Sequence, residues 1–394
     1  MTVVTRALVM LLGVISFSTW LPAAEALPKA YRVYVGTYTT YGAKESKGIY
    51  LFEFDPATGK AGEPRLVAEG ANPSFMAFGP GSKNLYVVNE VAAIGPAPQQ
   101  QGTASLTAYR VDQKTGELKL LNSVPTQGTI TCHVSVDREG EHALVASYGK
   151  GKSAVCFDLN ADGSIGKATS SVQHSGKSAN PKRQESPHAH SVNLSPDGRF
   201  AFVADLGTDR LKVYPFDQKT GKLDGEHAQT VTAKPGAGPR HFAFHPNGKF
   251  AYNNNELDWT VTAFSYDAAT GKLNPLQTIT TIPADYTGTG GTAEVVVHPS
   301  GKFLYVSNRG PDSLAIYQIG ENGKLTAVGF TSTNGKIPRN FSIDPTGQFL
   351  MAANQDSDTV VVFKIDQTTG GLTPTGEVIR VPMPVCVKWL RVEG

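Results

Sequence analysis

The sequence is poor in cysteine, in charge imbalance and in long apolar runs. Three cysteines in 394 residues, Cys132, Cys156 and Cys386, are too few and too scattered for a disulfide framework or a thiolate zinc site. They read instead as buried small hydrophobes. Lys and Arg number 36 against 34 Asp and Glu, and the resulting net charge of +2 offers no case for a nucleic-acid or membrane-surface partner. There is no G-x-S-x-G elbow, no H-E-x-x-H, no Walker loop and no G-x-G-x-x-G between a strand and a helix. What remains, 40% hydrophobic and 18% charged residues, is the composition of a globular chain rather than a disordered one.

The one prominent apolar run lies at the start. Arg6 precedes the stretch from Ala7 to Phe17, and small residues follow, ending in Ala24-Glu25-Ala26. A charged start, a short apolar segment and an A-x-A pattern make a secretory signal. The run is shorter than the ~20 residues that span a bilayer. Residues 1–26 are therefore expected to be cleaved, leaving 27–394 as one exported domain without a membrane anchor, periplasmic or secreted.

Internal repeats define that domain. Turns of the form D-x-x-T-G-x-L recur with glycines at Gly59, Gly116, Gly163, Gly221, Gly271, Gly323 and Gly370, about 52 residues apart on average. That interval is the scale of a four-stranded propeller blade. A second turn, as in SPDGR, HPNGK, HPSGK and DPTGQ, precedes alternating apolar runs such as FAFVAD and FLYVSN. From the second turn to the next landmark glycine the distance is 24 or 25 residues in five copies. In the first copy it is 36, the excess lying in residues 92–102. Each unit reads as strands A, B, C and D. PMPVCVKWL at the C-terminus matches a strand A, and RVYVGTYT near Tyr34 matches a strand B. The prediction is an all-β, seven-bladed propeller closed by its two chain ends sharing one blade.

The tight, uniform turns occupy one face of such a propeller. Length variation falls on the other, at residues 92–102, 173–186 and 283–292, which marks it as the binding face. Alignment of the copies places Ser74, Cys132, His190, Arg240, Ala293, Arg339 and Val385 in one ring at the start of strand A. The next ring is Phe75, His133, Ser191, His241, Glu294, Asn340 and Cys386. The ends of the B strands add Asn89-Glu90, Tyr148, Asp205, Asn255-Glu256, Asn308-Arg309 and Asn354-Gln355. Strict alternation would turn His133 and His241 into the blade packing. From spacing alone, a polar channel whose groups merely satisfy one another is an equal alternative to a site.

Several stretches carry a family resemblance: YVGTYT (34–39), PHAHSVNLSPDGRFAFVADLGTDR (187–210), GPRHFAFHPNGKFAYNNNEL (238–257) and AEVVVHPSGKFLYVSNRG (293–310). Over the whole mature chain the sequence resembles the seven-bladed propeller lactonases of the 6-phosphogluconolactonase type, related to the carboxy-cis,cis-muconate lactonising enzymes. The resemblance implies a catalytic His, two Arg and a Glu. These map onto His190 or its neighbour His188, onto Arg240 and Arg309, and onto Glu256. His190 is preferred because it shares a ring with Arg240. Asp205, His241, Glu294, Arg339 and Asn340 are expected to contact substrate.

The reading implied is a lactonase that opens a small sugar-acid lactone. Glu256 or His190 would activate water, and the arginines would hold the oxyanion. Glu256 could instead orient an arginine. No cofactor or metal is expected; the sequence leaves the oligomeric state open, with a monomer favoured. The export signal sets the chain apart from the cytosolic phosphogluconolactonases, since phosphorylated metabolites are not expected outside the cytoplasm. Two other readings remain open: a non-catalytic binding propeller, and a lactonising cycloisomerase using the same four residues.

Overall fold

The computed structural model describes residues 28–40, 45–92 and 104–392. The proposed signal, residues 1–26, lies outside them. Among the described residues the strands sort into seven antiparallel sheets. Each sheet's innermost strand packs against the innermost strand of the next until the ring closes. These are the seven blades that the glycine spacing predicts. They are numbered I to VII, beginning with the blade that contains the N-terminal strand.

Blade I is the composite one. Its innermost strand, Pro384–Val392, pairs with Ala30–Thr37, and Gly48–Asp55 continues the sheet. The chain ends thus meet as predicted, and hydrogen bonding removes the two edges that an open ring would expose. Blades II, III and IV begin at Pro73–Phe78, Thr131–Val136 and Ala189–Leu194. Blades V, VI and VII begin at Pro239–Phe244, Gly291–Val297 and Pro338–Ile343.

Adjacent blades are locked by the turns that mark the repeat. In the turn at Asp366, the carboxylate accepts the N–H groups of Thr368 and Thr369, both at 2.8 Å, and Gly370 follows at φ 74°. Only glycine takes that conformation without strain. The carbonyl of Gly370 then accepts the buried Tyr305 hydroxyl of blade VI at 2.7 Å. The same lock joins Tyr34 to Gly116, Tyr86 to Gly163 and Tyr252 to Gly323. Between blades VI and VII the space is filled by Phe303, Tyr305, Phe341, Leu350 and Phe363. Each fully buried side chain of this size contributes roughly 1.5–3 kcal/mol.

One irregularity recurs in all seven blades. Where the innermost strand enters, one extra residue interrupts its register with the second strand: Ser74, Cys132, His190, Arg240, Arg339 and Val385 in six of them. In blade VI, Ala293 and Glu294 together occupy the interval between Thr292 and Val295. A bulge breaks the alternation of side chains and re-aims them. The expectation that His133 and His241 turn into the blade packing fails for this reason. Instead, the rings of Phe75, His133 and His241, from blades II, III and V, meet one another at centroid distances of 4.3 to 5.7 Å. Blades II and V are not neighbours, so this contact fills the central channel.

Candidate active site

In several blades the second strand ends with two residues of different duty. The first ties the chain down: Asn89 donates to the carbonyl of Ala71 at 2.8 Å, Asn308 to that of Thr281 at 2.6 Å and Asn354 to that of Thr333 at 3.0 Å. The second residue projects over the mouth of the channel. Tyr38, Glu90, Glu256, Arg309 and Gln355 hold this position and, with Arg183 and Arg339, line an open cleft of about 450 Å³. The cleft opens on the face marked by length variation.

Glu256 is the hub. Its Oε1 accepts Arg183 Nη2 at 2.6 Å, and its Oε2 accepts Arg240 Nε at 2.9 Å and faces Arg309 Nη2 at 3.0 Å. Burial alone would raise its pKa, but Arg309, Arg240 and Arg183 overcome that and hold it far below the usual carboxylate range. Arg240 is 1% exposed and also donates to the Ala293 carbonyl. Burial, then the charges of Arg309 and Arg339, lower its pKa to about 10, so it stays a cation at neutral pH. Arg309 is likewise lowered by burial, with Glu256 opposing. A carboxylate so tightly held is a poor proton acceptor and a good scaffold for guanidinium groups.

A second charged cluster completes the cleft. Glu90 Oε1 accepts the Tyr38 hydroxyl at 2.9 Å and lies 3.6 Å from Arg339 Nη2. Its Oε2 is buried and takes no hydrogen bond. The Arg339 guanidinium sits 5.1 Å above the Tyr38 ring, a cation–π contact. Burial pushes the Arg339 pKa down, but Tyr38, Glu90 and Glu256 outweigh it and raise it.

The remaining sequence-predicted residues are distributed around this cleft. His190 lies deeper, its Nδ1 3.7 Å from Cys132 Sγ and its ring against those of Tyr148 and His241. Burial, followed by Arg240 and His241, drives its pKa well below the ordinary value, so it is neutral at pH 7. His188 stacks on Tyr148, with Nδ1 on the Tyr148 carbonyl at 2.7 Å and Nε2 facing Glu185 at 3.2 Å. His241, Glu294 and Asn340 form a buried chain. Glu294 accepts from His241 Nδ1 at 2.8 Å and from Asn340 Nδ2 at 2.5 Å, and Asn340 accepts Val387 N–H at 2.9 Å.

Asp205 occupies the anchoring position, not the projecting one. It accepts the N–H groups of His188 at 2.9 Å and Thr208 at 3.1 Å, so its carboxylate is engaged within the fold. Cys132, Cys156 and Cys386 are buried free thiols.

Arg183 was not singled out by the sequence, because it belongs to no repeat position and sits in the irregular segment 173–186. Tyr38 and Glu90 do have a signal: they are repeat equivalents of Glu256, one residue after the strand-terminal Thr37 and Asn89.

An open throat with arginines gathered on one carboxylate sits at the mouth of the seven-bladed ring, an arrangement suited to holding a small anionic or polar molecule. The chain belongs to the seven-bladed β-propeller lactonase family, whose pattern matches residues 32–389, and it is a lactonase. It is 38% identical to a 6-phosphogluconolactonase of Bacillus subtilis over 361 residues, covering 91% of this chain and 98% of that protein. A 6-phosphogluconolactonase of Formosa agariphila is 35% identical, with 79% of this chain and 86% of that protein covered. The solved structure of a periplasmic gluconolactonase of Pseudomonas aeruginosa superposes with a TM-score of 0.84 at 34% identity, covering 92% of this chain and 99% of that one.

Proposed function

We propose that this lactonase opens a sugar-acid lactone in the cleft between Glu90 and Glu256. The observation that carries the reading is that Arg183, Arg309 and Arg339 share one open cleft with the carboxylate-bearing Glu90. Water attacks the lactone carbonyl carbon while Glu90 takes its proton. The oxyanion that forms is held by the guanidinium groups, which Glu256 keeps in place. Collapse breaks the ring C–O bond, and Glu90 returns the proton to the departing oxygen.

This mechanism departs from the one expected from the family resemblance. Glu256 is too strongly stabilised as an anion to serve as base, and His190 is too weak a base in its buried setting. Both are assigned to positioning. Arg240 sits beneath the cleft and supports Glu256 rather than touching substrate.

We also propose that the chain is exported, with cleavage before Leu27. The A-x-A pattern and the periplasmic relative in Pseudomonas aeruginosa support it. Cell fractionation with N-terminal sequencing tests this point: a mature protein retaining residues 1–26 in the cytoplasm overturns it.

The activity test is pH-stat hydrolysis of gluconolactone, its 6-phosphate and simple aliphatic lactones. Glu90→Gln is expected to lower kcat by roughly 10²–10⁴, and Arg309→Ala by roughly 10²–10³. Turnover near wild type in Glu90→Gln would place the base elsewhere. No turnover of any lactone by folded protein would overturn the substrate assignment.

A further inference from the structure

Away from the channel mouth, a second polar cavity of about 330 Å³ is lined by His174, Arg210, Lys212 and Tyr214, among others. None of its lining residues belongs to the active-site cleft. His174 follows the outer strand of blade III, Ile165–Val172. Arg210, Lys212 and Tyr214 lie on the third strand of blade IV, Arg210–Asp217. Alternate residues of a strand share a face, so the two cations and the tyrosine line the cavity from one side.

Three features of this cavity are left unmet by the fold. Among the described residues neither Arg210 nor Lys212 has a carboxylate within ion-pair distance, and Lys212 Nζ is hydrogen-bonded only to Thr230 Oγ1, at 2.8 Å. Burial and the neighbouring Arg210 charge lower the Lys212 pKa, with the Asp205 carboxylate opposing them only in part. His174 is 7% exposed. Its Nδ1 is bonded to Asp205 Oδ2 at 2.5 Å, which turns the other edge of the ring, Nε2, away from Asp205. That Nε2 is buried and has no hydrogen-bond partner. A buried polar atom without a partner is costly unless something meets it.

We propose that this cavity binds a phosphate group, inorganic or as a monoester. Arg210 offers a fork of donors matched to phosphate oxygens, and Lys212 adds a second point of positive charge. His174, whose Nε2 has no partner within the fold, adds a polar ring to the cavity wall. The site is separate from the lactone cleft and does not depend on which lactone is turned over.

Isothermal titration of the mature protein with inorganic phosphate, and separately with glycerol 3-phosphate, tests the proposal. The expected result is one saturable site, weakened at least about tenfold in Arg210→Gln/Lys212→Gln, with lactone turnover in that variant unchanged. Arg183→Gln, which removes a cation from the cleft, should bind phosphate as wild type does. Tighter binding of the ester would identify an organic phosphate as the natural occupant, and equal binding would identify the phosphate group alone. Absence of binding by wild type, unchanged affinity in the double variant, or loss in Arg183→Gln would each overturn the site. Should the double variant misfold, the ¹⁵N resonance of His174 Nε2 in wild type gives the same answer: it moves with phosphate or the proposal fails.

Discussion

Arg183 Nη2 reaches Glu256 Oε1 at 2.6 Å although 73 residues separate them in the chain. The contact carries the irregular segment before blade IV across to the end of a strand in blade V. It places a third guanidinium on a carboxylate already held by Arg240 and Arg309.

Arg183 is 41% exposed, so its ion pair contributes little to stability, about 0–1 kcal/mol. Arg183→Ala is therefore expected to leave the denaturation midpoint nearly unchanged while kcat/KM falls by about tenfold or more. Chemical denaturation and steady-state kinetics on the same preparation check both halves. A large stability loss would make the segment a structural strap.

Glu256→Gln behaves differently. It leaves Arg240, fully buried, without its counter-charge. Breaking a buried pair from one side costs about 3–5 kcal/mol, and urea denaturation should show it. Glu256→Gln combined with Arg240→Met removes both buried charges and is expected to recover much of that loss without recovering activity.

Acid should destabilise the fold well before carboxylates titrate. His133 and His190 are held well below their ordinary pKa, in both cases chiefly by burial, and His241 is lowered by burial and by Arg240 despite Glu294. Below about pH 6.5 the unfolded chain protonates these rings and the folded one does not. Each contributes a loss of about 1.4 kcal/mol per pH unit until its folded pKa is reached. Glu256, with a depressed pKa, has the opposite ionisation but the same sign: its contribution is present above the ordinary carboxylate range and lost below it. Denaturation midpoints between about pH 7 and pH 5 test the histidine part, and a flat profile would show that these rings titrate freely.

The inter-blade lock predicts two graded losses. Tyr305→Phe deprives the Gly370 carbonyl of its partner and should cost about 1 kcal/mol. Gly370→Ala puts a Cβ 2.6 Å from Phe303 Cδ1 at a position with φ 74°, and should cost more, about 2 kcal/mol or above. Equal effects in thermal or chemical unfolding would mean that the steric fit is not part of the lock.

Blade number, blade order and ring closure were legible in the linear sequence. The Asp and Gly of each turn act within a few residues, and a local hydrogen-bonding requirement repeated seven times leaves a regular spacing. The binding face was legible for a related reason: turns that must mesh with the next blade cannot change length, whereas loops facing solvent can. Arg309, Arg339 and Glu256 were found because they replace ordinary strand residues at repeat positions.

Tertiary structure alone decided which of these polar groups meet and in what state. The bulge at the start of each inner strand overrides the two-residue alternation, which brings His241 beside His133 and Arg240 under Glu256. Arg183 comes from a segment with no repeat to index it, and only the packing of blade IV beside blade V sets it against Glu256. Protonation was undecided for the same reason. His190 reads as a neutral-pH base by residue type, but burial and two nearby guanidinium groups make it a poor one, and such fields depend on distances across blades that no linear spacing encodes.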